Sequence, residues 1–99
     1  MFRTAIRADE NTDVAAVVSN LRRDCEAAGL SPVLSQVLAE QADAVLVQLV
    51  QTGRQLGSQG SQMQATREIA GDGYSVQIIF GVGPKPSFLQ RMMQRFAGA

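Results

Sequence analysis

The side chains able to do chemistry in this chain are few, and one common type is missing. Its 99 residues include no histidine, which removes Ser-His-Asp triads, Cys-His dyads, imidazole zinc ligands and the commonest general base. What remains is one thiol (Cys25), one phenol (Tyr74), a lysine-bearing loop around Lys85, and two acidic groups, Asp9-Glu10-Asp13 and Glu40 with Asp43. The loop Gly81-Val82-Gly83-Pro84-Lys85-Pro86-Ser87 leads from a strand into a helix start, where backbone N–H groups and a lysine can gather an anion. Gly83, Lys85 and Ser87 are therefore the candidate ligand-binding residues. A Walker loop would put glycine directly before the lysine and Ser or Thr directly after it, whereas Lys85 stands between two prolines. The plainer reading of the segment is a stiff connector.

The acidic groups could hold a hard cation through oxygen ligands, but neither has EF-hand spacing. Acids at a helix start already interact with the helix dipole, and Glu40 with Asp43 falls on a polar stripe. Cys25 falls in an apolar stripe with neither histidine nor lysine near it in sequence, the setting of an inert core cysteine. No metal, cofactor or enzymatic activity is expected. An enzyme using Lys85, Tyr74 or a carboxylate is the chemical alternative.

The elements that must position these groups follow from periodicity. Phe2 to Ala8 alternates, with Phe2, Thr4 and Ile6 on one side and Arg3, Ala5 and Arg7 on the other, as in a short edge strand. Asn11 or Thr12 can cap a first helix whose apolar residues Val14, Val17, Val18, Leu21, Cys25 and Ala28 recur at helical spacing until Gly29. Ser31-Pro32 starts a second helix with a capping side chain followed by a proline at the first helical position. Its stripe of Val33, Leu34, Val37, Leu38, Ala42, Val45, Leu46, Leu49 and Val50 lies opposite Gln36, Glu40, Asp43, Gln51 and Arg54. The short joint makes the two an antiparallel αα-hairpin.

Residues 53–61 shift to Gly, Gln and Ser, which reads as a flexible connection. Met63–Ile69 and Tyr74–Val82 then flank Asp72-Gly73, a strong hairpin signal, and that loop pairs Ile69 with Val76, Arg67 with Ile78, Ala65 with Phe80 and Met63 with Val82. Arg67 is the polar exception on an apolar face and is expected to snorkel past the sheet edge. After the proline-rich loop, Ser87 can cap a short helix with Phe88, Leu89, Met92, Met93 and Phe96 on one face. The whole reads as one α+β domain over residues 1–99, in the order β-α-α-β-β-α: an αα-hairpin on a small antiparallel sheet, completed by the C-terminal amphipathic helix.

Gly57-Ser58-Gln59-Gly60, together with that element order, resembles the type I KH domain in outline. The resemblance implies RNA bound at a Gly-x-x-Gly loop. In that family the loop joins the first two helices, whereas here the joint is Ala28-Gly29-Leu30-Ser31, and the four matching residues contain no base.

Nine basic residues balance nine acidic ones, so the cationic excess used in non-specific phosphate binding is missing and nucleic acid is disfavoured. The balance is uneven along the chain. Residues 9–43 hold seven acids against two bases, while residues 85–99 hold Lys85, Arg91 and Arg95 with no acid. The basic segment can dock on the acidic hairpin within one chain or on a neighbour; lying on an anionic membrane is the disfavoured third case. A lone cysteine and no signal-peptide pattern suit a cytoplasmic setting, and no uninterrupted apolar run of membrane-spanning length is visible.

The second helix carries the functional expectation. If it ends at Gly53 it is about 31 Å long, and if it ends near Leu56 about 37 Å, against a domain width of roughly 30 Å. Val47 then projects from its polar side between Asp43 and Gln51. An isolated surface valine is ordinary, but a second copy of the chain would also cover it. The expected function is a small non-enzymatic protein-interaction module, a homodimer presenting a helix face or sheet edge, with Val47, Asp43, Gln51, Phe88, Met92 and Phe96 as interface candidates.

Overall fold

Two capping side chains set where the helices begin in the computed structural model, which describes residues 1–83. Asp13, rather than Asn11 or Thr12, starts α1 (Val14–Ala27): its side chain accepts a hydrogen bond from the Ala16 N–H at 3.2 Å. Asn11 and Thr12 are engaged in the preceding turn, where the Asn11 N–H donates to Asp9 Oδ1 and the Asp9 N–H donates to Thr12 Oγ1. Ser31 Oγ accepts from the Leu34 N–H at 3.1 Å and, with Pro32 behind it, starts α2 (Pro32–Ser58) as expected.

Both helices end in the same device. Gly29 adopts φ 91°, its N–H donates to the Glu26 carbonyl, and the Leu30 N–H donates to the Cys25 carbonyl. Gly60 adopts φ 74° and repeats the pattern, with Gly60 N–H on the Gly57 carbonyl and Ser61 N–H on the Leu56 carbonyl. These are Schellman ends, which satisfy the last carbonyls and favour glycine in the left-handed position. The helix stop is thus Gly60, and α2 passes through both Gly53 and Leu56. The flexible connection expected over 53–61 shrinks to the few residues between Ser58 and Met63.

The strands are β1 (Phe2–Ala8), β2 (Met63–Gly71) and β3 (Tyr74–Val82), so the described order is β-α-α-β-β. The hairpin register is the expected one, with Ile69 opposite Val76, Arg67 opposite Ile78, Ala65 opposite Phe80 and Met63 opposite Val82. The sheet is mixed rather than antiparallel. Its order is β1-β3-β2, and β1 runs parallel to β3 with Phe2 beside Tyr74 and Ala8 beside Phe80. Burial explains the arrangement: Val76, Ile78, Phe80 and Val82 all lie in the core, so β3 gains most from neighbours on both sides. Meanwhile β2 carries Arg67 on its helix-facing side and needs an edge to release the charge. Arg67 is indeed exposed there.

One sheet face receives the helices. Leu21 and Cys25 of α1, six residues of α2 from Leu38 to Val50, and the inward residues of β2 and β3 form a single core, flanked by Phe2, Ile6 and Ala8 of β1. α2 lies close against the sheet at Gly53, where a Cβ would stand 2.7 Å from both Phe80 Cζ and Val82 Cγ2. Gly53 is therefore buried inside a helix, which is why it does not act as a stop. Among the described residues the opposite sheet face, with Arg3, Ala5, Arg7, Gln77 and Ile79, carries no covering element. By length and composition alone α2 could cross a membrane, but in this fold its apolar side forms the core. The expected C-terminal helix, with Phe88, Met92 and Phe96, lies outside the described residues, as do Lys85 and Ser87.

Candidate functional site

Packing against α1 and the sheet consumes one side of α2, and among the described residues no element covers the other. Val33, Val37 and Val47 are 76%, 39% and 39% exposed. They belong to a series, Val33, Val37, Glu40, Ala44, Val47, Gln51, that advances by alternate steps of four and three residues. Such spacing keeps side chains on one narrow strip of a helix, the spacing of a helix–helix seam. Every member of the series is exposed. Asp43 and Gln51 flank Val47 as expected, and all three are accessible together.

Among the described residues the charges on this face form no ion pair. The one ion pair among the described residues joins Arg22 to Glu26 on α1. Glu40 Oε1 accepts from Gln36 Nε2 at 3.1 Å, and Arg54 Nε donates to the Glu10 carbonyl at 3.2 Å, but none of Glu40, Asp43 and Arg54 meets an opposite charge among the described residues. Where α1 runs beside α2, Ala15, Val18, Ser19 and Arg22 face Gln36, Ala39, Glu40 and Asp43 across a groove of about 380 Å³. The groove has a small-residue floor with an acidic rim on α2.

Gly83, the described member of the ligand-loop candidates, lines a second concavity of about 410 Å³ with Glu10, Arg54, Gly57, Ser58, Gly60, Ser61 and Val82. Sequence reasoning placed Ser58 and Ser61 in a linker and gave Arg54 no role beyond the polar stripe. The fold brings all three beside the end of β3, because α2 continues to Ser58 and its Schellman end turns the chain back over the sheet. Arg54 and the Gly60 turn give the hollow a cation and exposed backbone, with Glu10 at its wall opposing an anion.

The remaining chemical groups are occupied by the fold. Asp9 and Asp13 accept backbone N–H groups, and among the described residues no three His, Cys, Asp or Glu side chains gather as a metal site would require. Tyr74 lies over Gly71, its neighbour across the hairpin, where an added Cβ would strike the ring. Cys25 is wholly buried; burial, and then the negative charges of Asp24 and Glu26, push its thiol above the ordinary value of 9.0. That shift is opposite to the one a reactive thiol needs. Compared with known protein families, curated proteins and solved structures, the chain matches none.

Proposed function

We propose that this domain is a non-enzymatic protein-interaction module that works as a homodimer, with the outer face of α2 as its contact surface. The observation that carries this reading is the strip of exposed valines on a 27-residue helix, which extends about 40 Å at about 1.5 Å per residue. Isolated exposed valines need no explanation, but three on one helical strip, beside charges that form no ion pair among the described residues, have the composition of a helix–helix contact. A cytoplasmic location fits the buried lone cysteine.

Light scattering across a hundredfold concentration range tests it. The expected result is a concentration-dependent dimer that Val47→Glu converts to a monomer with unchanged helical circular dichroism. A wild-type monomer throughout the range refutes the reading.

The second reading, a small anion bound where the strand leaves the sheet, is favoured by the hollow that Gly83 shares with Arg54. Titrating inorganic phosphate into the protein and following the Gly57–Gly83 amide resonances tests it. Saturable shifts abolished by Arg54→Gln would support this reading over the first.

A further inference from the structure

The charges flanking Val47 have a symmetry that specifies how two copies would meet. Glu40 and Arg54 each lie seven residues from Val47, on opposite sides, and Asp43 and Gln51 each lie four residues away. Seven residues is close to two helical turns, so Glu40, Val47 and Arg54 lie on nearly one line along α2. We infer that α2 pairs antiparallel with α2 of a second copy about a two-fold axis through Val47, each Glu40 facing Arg54 of the partner subunit and each Asp43 facing Gln51 of the partner subunit.

The alternatives are electrostatically worse. A parallel pair in register sets Glu40 against Glu40, Asp43 against Asp43 and Arg54 against Arg54. An antiparallel pair centred on Glu40 brings the two Glu40 carboxylates together at the axis. A centre at Ala44 puts Glu40 opposite Gln48 and leaves Arg54 without an acid. Only the Val47 centre among these places an apolar side chain on the axis and opposite charges at both ends, a self-complementary patch of the kind a two-fold interface requires. Glu40, Asp43 and Arg54 are all exposed and make no ion pair among the described residues, so no salt bridge within residues 1–83 has to break. Arg54 keeps its Nε on the Glu10 carbonyl, leaving its two terminal nitrogens for the partner's carboxylate.

Area sets the expected strength. About Val47 the residues that find a partner run from 36 to 58, a strip about 35 Å by about 10 Å that offers roughly 350 Å² per copy, less than half of what a standard interface buries. Ala15, Val18 and Ser19 border the same outer surface across the α1 groove and can join it. Such an interface belongs to the weak, transient class, and salt is expected to weaken it further because its specificity lies in exposed charge.

This register rests on the homodimer reading above, and the experiment separates the two. Dimer dissociation constants are measured by sedimentation for the full chain, Glu40→Arg, Arg54→Glu and the double charge-swapped variant. Each single reversal sets like charges together twice per dimer and is expected to raise the constant about tenfold or more, while the double swap returns it to within about threefold of wild type. In parallel, the Val47→Cys variant is oxidised with glutathione disulfide. The two introduced thiols meet at the axis and give a linked dimer, while buried Cys25 does not compete. A wild-type monomer removes the homodimer reading and the register with it. A wild-type dimer that neither reversal weakens, and whose Val47→Cys variant does not link, leaves homodimerisation standing and overturns the register. Loss of circular dichroism in either reversal variant transfers the decision to the disulfide linkage of Val47→Cys.

Discussion

Gly53→Ala and Gly57→Ala make a matched pair in which chemistry is constant and only the surroundings differ. Both residues lie in α2, and at each the alanine removes unfolded-state freedom and restores helix propensity worth up to about 1 kcal/mol. At Gly57 the new methyl meets only Val82 Cγ1 at 3.6 Å, an ordinary contact, so the gain is kept and stability rises by about 0.4–1 kcal/mol. At Gly53 the methyl falls 2.7 Å from Phe80 Cζ and Val82 Cγ2 and 2.9 Å from Phe80 Cε1. Neither neighbour can yield easily, because Phe80 is 1% and Val82 5% exposed. Overpacking of this kind costs about 1–3 kcal/mol.

The difference between the variants isolates that steric cost. At about 4–8 °C per kcal/mol for a domain of this size, Gly53→Ala should melt at least ~4 °C below Gly57→Ala. Thermal and urea denaturation followed by circular dichroism measure both. A double-mutant cycle with Phe80→Leu adds a second check, since shrinking the ring should cost less in the Gly53→Ala background than in wild type. Equal upward shifts for both alanines would refute the close approach of α2 to the sheet and, with it, the passage of the helix through Gly53.

Three further outcomes follow from single side chains. Leu46 is wholly buried in α2, so Leu46→Ala should cost about 2–5 kcal/mol in urea denaturation; a loss below about 0.5 kcal/mol, the surface scale, would mean that the inward face is misassigned. Ser35 Oγ is buried with no hydrogen-bond partner among the described residues, so Ser35→Ala should leave stability unchanged or raise it by about 1 kcal/mol, and a clear loss would show that the hydroxyl is engaged. For Cys25 the native thiol is the weaker acid, so the native state holds its proton more tightly than the unfolded chain does. Its contribution is complete below the ordinary value of 9.0 and is lost as pH rises from there toward the elevated native value. Wild-type stability should thus fall more steeply than that of Cys25→Ala above that pH, and a thiol reagent at neutral pH should label Cys25 only after urea is added.

What the sequence reveals and conceals here turns on whether a signal is local. The hairpin register was legible because two local cues agree: the alternation in Met63–Val82 and the Asp72-Gly73 pair. Ser31-Pro32 was legible for the same reason. The orientation of β1 was not, since its alternating Phe2, Thr4 and Ile6 fit either direction, and the choice depends on which strand takes the centre. Arg67 held that answer, because a charge on the inward face forces β2 to an edge. Gly53 misled most. Its type and its Gln- and Ser-rich surroundings signal a helix end, yet its reason is distant in sequence: the Phe80 ring and Val82 leave no room for a side chain where α2 crosses β3. Val47, Asp43 and Gln51 could be placed on one face from periodicity alone. Arg54 fell on the same polar stripe as Glu40, but its place opposite Glu40 about Val47 depends on the helix continuing past Gly53, one of the two ends left open, because a break there would release Arg54 from the strip. The glycine required by helix–sheet packing is thus also what carries the one basic residue of α2 onto its outer face.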